Sequence, residues 1–524
     1  MRLARILCAA LALILVSSST IRASGRDDDD RRPFRHVLLI SVDGLHALDL
    51  TNYVAAHPKS TLAQLSAHGK TFTNASTSQP SDSFPGLASL VTGGSPITTG
   101  FWYDVTFNRK LSFPRVANTV MGMASGPCPS TGGAVVELDE GVDFDLTQLN
   151  GGGGIDPDFL PRDPNNGCQP VFPHQYLRVN TIFEVVRQHG GYTAWTDKHP
   201  AYEWTNGPSG HGVNDFFGPE INSIPVALPF PGCTPVPAAD TTPDDGWTTD
   251  FNNIKCYDSL HVQAVLNQID GLTHDGLHRA PVPTVFGTNF QAVSVGEKLA
   301  AGGYSDVLGT PSAGLAGELD FVDQSLGKMV SELRKQGLLE STLIIVGAKH
   351  GQSPIDRQKR NGIGGGEPAN TIGSPEAFDI SDDGSLIWLT DSSLTGGVVA
   401  NLSLPAVQDH LGIQEIFAGP SLENKFNSPL TDERTPDIIL KTNTGVIFTG
   451  GSKIAEHGGL NEDDLHVALL LSWSGWKAQQ IKTPVSNQQV APTILRALGI
   501  DPDELEAVRK EQINVLPFVF GREE

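Results

Sequence analysis

Two kinds of apolar spacing alternate along this chain. Unbroken runs, VLLISV before Asp43, TLIIVGA before Lys349 and HVALLLS from His466, read as strands buried on both faces. Around them, apolar residues recur every three or four positions. The clearest such stretch is 315–336, where Leu315, Leu319, Val322, Leu326, Met329 and Leu333 share one helical face. TLAQLSAHG predicts a shorter helix with Leu62 and Leu65 on one side and Gly69 as its stop, and QVAPTILRALGI a closing amphipathic helix. TIFEVVRQHGGYTAWTD reads as helix, glycine stop and strand. Strands alternating with helices predict an α/β fold with a doubly wound, mainly parallel sheet.

Two stretches break the alternation. Residues 121–173 are rich in Gly, Pro and Asp, and residues 205–257 are similarly loop-rich, so both read as irregular insertions. The chain opens with MRLAR, an apolar core ILCAALALILV and a small-residue region, the pattern of a signal peptide over 1–23 cleaved near Ala23. This predicts a secreted or periplasmic protein, soluble after cleavage, with a flexible charged leader at 24–35 and a catalytic-size domain over 36–524. Cys8 leaves with the signal. Of the three pairings open to the remaining four cysteines, sequence order favours Cys128–Cys168 and Cys233–Cys256. A net charge of −23 argues against a nonspecific grip on nucleic acid or anionic membrane. An anionic substrate therefore needs a local positive centre.

In a doubly wound sheet, ligands collect beyond the carboxyl ends of the strands. That rule selects Asp43, the Asp197-Lys198-His199 run, and Lys349-His350. The segment PSDSFPGLASLVTGG adds Ser83. Pro85 suits a first helical turn, so Ser83 falls at a helix N-terminus, where free N–H groups favour an alkoxide and phosphate oxygens. Taken singly, each of these is as readily a turn former or an N-cap, with Ser81, Asp82 and Ser83 all eligible for the latter. His457 lies in the glycine-flanked turn AEHGG.

These pieces, in this order, resemble the alkaline phosphatase superfamily and within it the type I phosphodiesterase/nucleotide pyrophosphatase family, over roughly residues 36–500. The resemblance implies phosphoryl transfer through a serine or threonine nucleophile assisted by two zinc ions. Carried over, it makes Ser83 the nucleophile and Asp43, His350 and His457 metal ligands. Three ligand positions depart from the pattern. Lys349 stands in place of an aspartate, and NFQAVSVGEK puts Gln291 and Val295 where the family has aspartate and histidine. Asp104 falls where an oxyanion-holding asparagine is expected.

A protonated lysine is not a metal ligand, so Lys349 displaces an ion or points away. In the first case its charge stabilises phosphate and the Ser83 alkoxide. The expectation is then an exported phosphoesterase with a divalent metal, zinc, one ion rather than two. Asp197 and His199 are available to supplement the site, and the substrate is a small phosphorylated compound, nucleotides included. The alternative is a non-catalytic member of the fold that binds phosphorylated or glycan ligands. Phe84, Trp102, Tyr103, Trp195, Tyr202 and Trp204 are placed to stack on a base or, as readily, to pack the core.

Overall fold

The unbroken apolar runs become the middle of an eight-stranded sheet in the computed structural model, which describes residues 34–117, 124–130, 132–138, 141–223, 233 and 247–520. The signal peptide and all of the leader up to residue 33 lie outside the described residues. The strands are β1 (His36–Val42), β2 (Gly69–Phe72), β3 (Ala194–Thr196), β4 (Asp215–Phe217), β5 (Val285–Phe290), β6 (Thr342–Gly347), β7 (Leu469–Ser472) and β8 (Gln479–Ile481), in the spatial order β8-β2-β7-β6-β1-β5-β3-β4. Neighbours pair in parallel except at β7, which runs against both β6 and β2.

Alternation along β1 divides the core into two layers. Val37 and Leu39 face one way, towards α1 (Ser83–Thr92), α2 (Ile182–Gln188) and, near the end of the chain, the helix Val490–Ala497, through Phe84, Leu87, Phe183, Val186 and Ile494. Leu38, Ile40 and Val42 face the other way, towards α3 (Phe251–Ile269), α4 (Ala292–Lys298) and α5 (Ala313–Lys335), through Val265, Val293, Leu319, Leu326 and Met329. Helices on both faces account for strands without a polar face. The long helix predicted over 315–336 is α5. Among the described residues no helix is long and apolar enough to cross a membrane.

Three details differ from, or add to, the sequence reading. Gly69 does not stop the short helix Thr61–Ala67; His68 caps it, and Gly69 opens β2. A Cβ at Gly69 would lie 2.9 Å from the Leu471 carbonyl oxygen, so the close approach of β2 to β7 requires glycine there. The HVALLLS run is split: His466–Val467 pairs with Ala75–Ser76 outside the main sheet, and only Leu469–Ser472 enters it. Finally, strands Glu376–Ser381, Gly384–Leu389, Ile413–Ala418 and Ile438–Thr442 build a separate four-stranded antiparallel sheet. It has its own core of Ile387, Leu389, Ile438 and Leu440. Both disulfides, Cys128–Cys168 and Cys233–Cys256, are formed as sequence order suggested.

Candidate active site

Register decides which side chains meet. Ile40 of β1 lies opposite Thr288 of β5 and Val346 of β6, and Thr288 lies opposite Thr196 of β3. Asp43, Asp197, the Asn289–Gln291 segment and Lys349-His350 therefore leave the sheet together at its carboxyl edge. Helix α1 adds Ser83 as its first residue. Asp82, not Ser83, is the N-cap, accepting the Phe84 N–H at 2.9 Å. The helix is pressed onto the end of β6: a Cβ at Gly86 would stand 2.2 Å from the Lys349 carbonyl oxygen. Only glycine at 86 lets Ser83 come this close to His350.

The Ser83 hydroxyl is fully buried and has three polar neighbours. His350 Nε2 is 3.2 Å away, Lys198 Nζ 3.0 Å and Asp43 Oδ2 3.5 Å. His350 Nδ1 lies 3.0 Å from the Gly351 carbonyl oxygen, to which it can only donate. The neutral ring then carries its lone pair on Nε2, facing Ser83. Burial lowers the His350 pKa, with the Asp43 carboxylate opposing, so the neutral form is favoured. Lys198 stays charged: burial works against the ammonium, but Asp43, Asp104, Asp82 and Asp197 together raise its pKa. It and His457 cover the site, with side chains 12% and 10% exposed.

Asp43 is the hub. Its Oδ2 has Gln291 Nε2 at 2.5 Å, Asn289 Nδ2 at 3.2 Å, His350 Nε2 at 3.6 Å, Lys198 Nζ at 3.8 Å and Lys349 Nζ at 3.9 Å. Burial alone would raise the Asp43 carboxyl, yet the nearby positive charge, Lys349 foremost and Lys198 with it, holds its pKa well below the ordinary value. Lys349 is itself fully buried, paired with Asp197 Oδ1 at 2.8 Å and lying 4.2 Å from the Tyr202 ring centroid. Burial lowers its pKa against the pull of Asp197 and Asp43.

Of the other expected residues, Gln291 is in the site and Asp197 reaches it through Lys349. Asp104 caps the Val105 N–H at 2.9 Å and contributes to the field on Lys198. His457 lies over His350 with the rings tilted by 32° and their centroids 3.9 Å apart, and its Nδ1 lies 3.6 Å from Asp82 Oδ1. His199 is not brought to Ser83; its Nδ1 pairs with Glu220 at 2.8 Å. Val295 packs beside the core on α4. Phe84, Trp102, Tyr103, Trp195, Tyr202 and Trp204 are all buried, which makes them core rather than a base-stacking surface. Lys198 and Asn289 also lie in the site; the strand-end rule selects Lys198 without giving it a role, and Asn289 is not among the sequence-based candidates. Lys198 was visible as part of a strand-end run; Asn289, inside β5, carried no signal.

Two atoms of the donor set are open to a metal. Asp43 Oδ1 and His457 Nδ1 are buried without hydrogen-bond partners, so lone pairs are on offer. Among the described residues, however, the only three-donor group of His, Cys, Asp or Glu with all ligating atoms within 4.8 Å is His46, Asp49 and Glu297. Asp43, His350 and His457 do not form such a group. A divalent ion about 2 Å from Asp43 Oδ2 would have both ammonium groups within about 6 Å, each costing about 5 kcal/mol at an effective dielectric of about 20. Without any metal, Lys198 and Lys349 already balance Asp43 and Asp197. The arrangement does not fit the two-ion centre.

The His46 group is closed. Nδ1 meets Asp49 Oδ2 at 2.9 Å and Tyr304 Oη at 2.8 Å, while Nε2 lies against the Gln352 backbone, 2.9 Å from its carbonyl oxygen. Tyr304 Oη and Gln352 Nε2 donate to Glu297 at 2.6 and 2.7 Å. Burial opposes charge on His46, but Glu297 and Asp49 hold its pKa well above the ordinary value. This cluster has the atoms and spacing for a cation, and its nitrogens are spent on the protein.

A doubly wound sheet with a serine hydroxyl at a helix N-terminus and acid and imidazole groups at the strand ends is the arrangement of the alkaline-phosphatase-like fold. The sequence matches the type I phosphodiesterase/nucleotide pyrophosphatase family over residues 37–123 and 188–466, and the chain belongs to that family, hydrolases of phosphoester bonds that depend on metal. Solved structures agree on the fold. Murine ectonucleotide pyrophosphatase/phosphodiesterase 5 is 12% identical, with TM-score 0.54, covering 89% of this chain and 96% of its own. An inactive variant of the same murine protein in complex with AMP gives 12% and 0.55 over the same shares. Alkaline phosphatase PafA is 13% identical, with TM-score 0.56, covering 90% of this chain and 96% of its own. No curated protein sequence matches the chain.

Proposed function

We propose that the chain is an exported phosphoesterase, with residues 36–524 as its catalytic unit and Ser83 as its nucleophile, acting on small phosphodiesters or pyrophosphates. The observation that carries this reading is the Ser83 hydroxyl, first in α1, with His350 Nε2 at 3.2 Å and Lys198 Nζ at 3.0 Å. A base, a fixed cation and a helix N-terminus around one hydroxyl are what attack on an anionic ester requires. The signal-like start of the chain supports export. Nucleotides remain in the substrate class, given the AMP complex of the murine relative. The expected single zinc ion would have Asp43, His350 and His457 as donors, a set whose spacing is unfavourable.

The test is turnover of bis(p-nitrophenyl) phosphate, p-nitrophenyl phosphate and a dinucleoside pyrophosphate by the purified protein and by Ser83→Ala. Hydrolysis by the native chain that vanishes in Ser83→Ala supports the reading, and unchanged hydrolysis in the variant ends the nucleophile assignment. Phosphorylated ligands bound tightly by the native chain without turnover would make it a non-catalytic, binding member of the fold.

A further inference from the structure

We infer that this chain carries out its ester chemistry without a metal at Asp43: the ammonium groups of Lys198 and Lys349 supply the fixed positive charge, and the His350 imidazole takes the Ser83 proton. The inference rests on the phosphoesterase reading and replaces the family's metal ions with side chains.

Three observations point the same way. Asp43 Oδ2, the oxygen nearest Ser83, is ringed by the amide groups of Gln291 and Asn289 at 2.5 and 3.2 Å and by both ammonium groups within 3.9 Å. These are hydrogen-bond donors and cations, arranged as they would be around an anion with no metal beside it. Second, Asp43 and Asp197 each already face an ammonium group, since Lys349 is locked to Asp197 at 2.8 Å and Lys198 spans Ser83 and Asp43. Third, the hydrogen bond of His350 Nδ1 to the Gly351 carbonyl presents Nε2 to the Ser83 hydroxyl at 3.2 Å, the geometry of a proton acceptor. The His457 ring lies over His350, tilted by 32° with centroids 3.9 Å apart.

The chemistry balances over two steps. Ser83 Oγ bonds to phosphorus as its proton passes to His350 Nε2. The P–O bond on the opposite side breaks, and the departing oxygen takes a proton from solvent. Lys198, 3.0 Å from Oγ, then lies against the non-bridging oxygens of the phosphoserine. Water attacks from the vacated side, releasing its proton to solvent. The Ser83 P–O bond breaks, and Oγ recovers the proton that His350 held. Lys349 does not touch substrate; through Asp197 and Asp43 it is a positioning residue.

The experiment uses the full chain, dialysed against a chelator, with metal content measured by mass spectrometry of the digested protein. Diester turnover and labelling of Ser83 by a fluorophosphonate, read by intact mass, are followed before chelation, after it, and with zinc restored. The expected result is well under one ion per chain, with turnover and labelling unchanged by chelation. Lys198→Ala should lower both kcat and the labelling rate on the order of 10²-fold. Lys198→Arg, which keeps the charge at a partly exposed position, should retain more of both. If chelation abolishes turnover and zinc restores it, the inference is overturned and the phosphoesterase reading stands. Absence of both turnover and Ser83 labelling at every metal content would sink the two together.

Discussion

Lys349 Nζ and Asp197 Oδ1 are 2.8 Å apart with neither side chain exposed, so a cation from the end of β6 is neutralised by an acid from the end of β3, three strands away. Removing one partner of such a pair leaves the other buried and uncompensated. Lys349→Ala is expected to cost about 3–5 kcal/mol in denaturant unfolding, whereas Lys349→Met with Asp197→Leu should lie much closer to the native chain. A single substitution as mild as the double one would show that the pair is not buried in solution.

The protonation of His350 sets the acid side of the activity profile. Its pKa is lowered from 6.5, chiefly by burial, so the neutral ring that accepts the Ser83 proton persists below that pH. The acid limb of kcat/KM for a diester is therefore expected to have its midpoint below pH 6.5. A midpoint above it would contradict the assignment of His350 as base.

How far the sequence reached depends on what each feature required. The runs around Leu39 and Ile345 were legible because burial on both faces leaves no polar alternation to confuse them. The strand-end rule grouped Asp43, Asp197 and Lys349, and parallel register carries those strand ends to one edge. His199 failed because the turn after Asp197 sends it to Glu220, a partner that only tertiary structure reveals. Asn289 was missed, and Lys198 was left without a role, because what they do depends on side-chain direction at Asp43. The antiparallel sheet of residues 376–442 was missed as well. Its edge strand Glu376–Ser381 is half-buried throughout, and its alternation is confined to the four residues Phe378 to Ser381, too short a signal to stand out.

Arg178 gives Asp432 two hydrogen bonds, Nη1 to Oδ2 at 2.7 Å and Nη2 to Oδ1 at 2.8 Å, and so ties the turn before strand Ile438–Thr442 to the main body. Burial would raise the Asp432 carboxyl, but Arg178 lowers it from 3.8 to about 2. A folded pKa below the unfolded one means stabilisation that is complete above pH 3.8 and disappears as pH falls through about 2. Asp432→Asn should thus lower Tm at pH 7, and the gap should close in thermal melts approaching pH 2. A gap that stays constant across that range would remove the ion pair as its cause.

If lysine charge has taken the place of metal, giving the ligands back should create metal dependence. Lys349→Asp combined with Gln291→Asp and Val295→His puts carboxylates beside Asp43 and an imidazole on α4. It also leaves Asp197 without its ammonium partner. That cluster of acids is unstable empty and is expected to bind zinc on folding, so Tm of the triple variant should climb with zinc concentration by mass action. The native chain, whose acids are already neutralised from within, should show no such climb. A zinc-dependent Tm in the native chain would mean that the two ammonium groups yield to a metal after all, and the triple variant would then differ from it only in affinity.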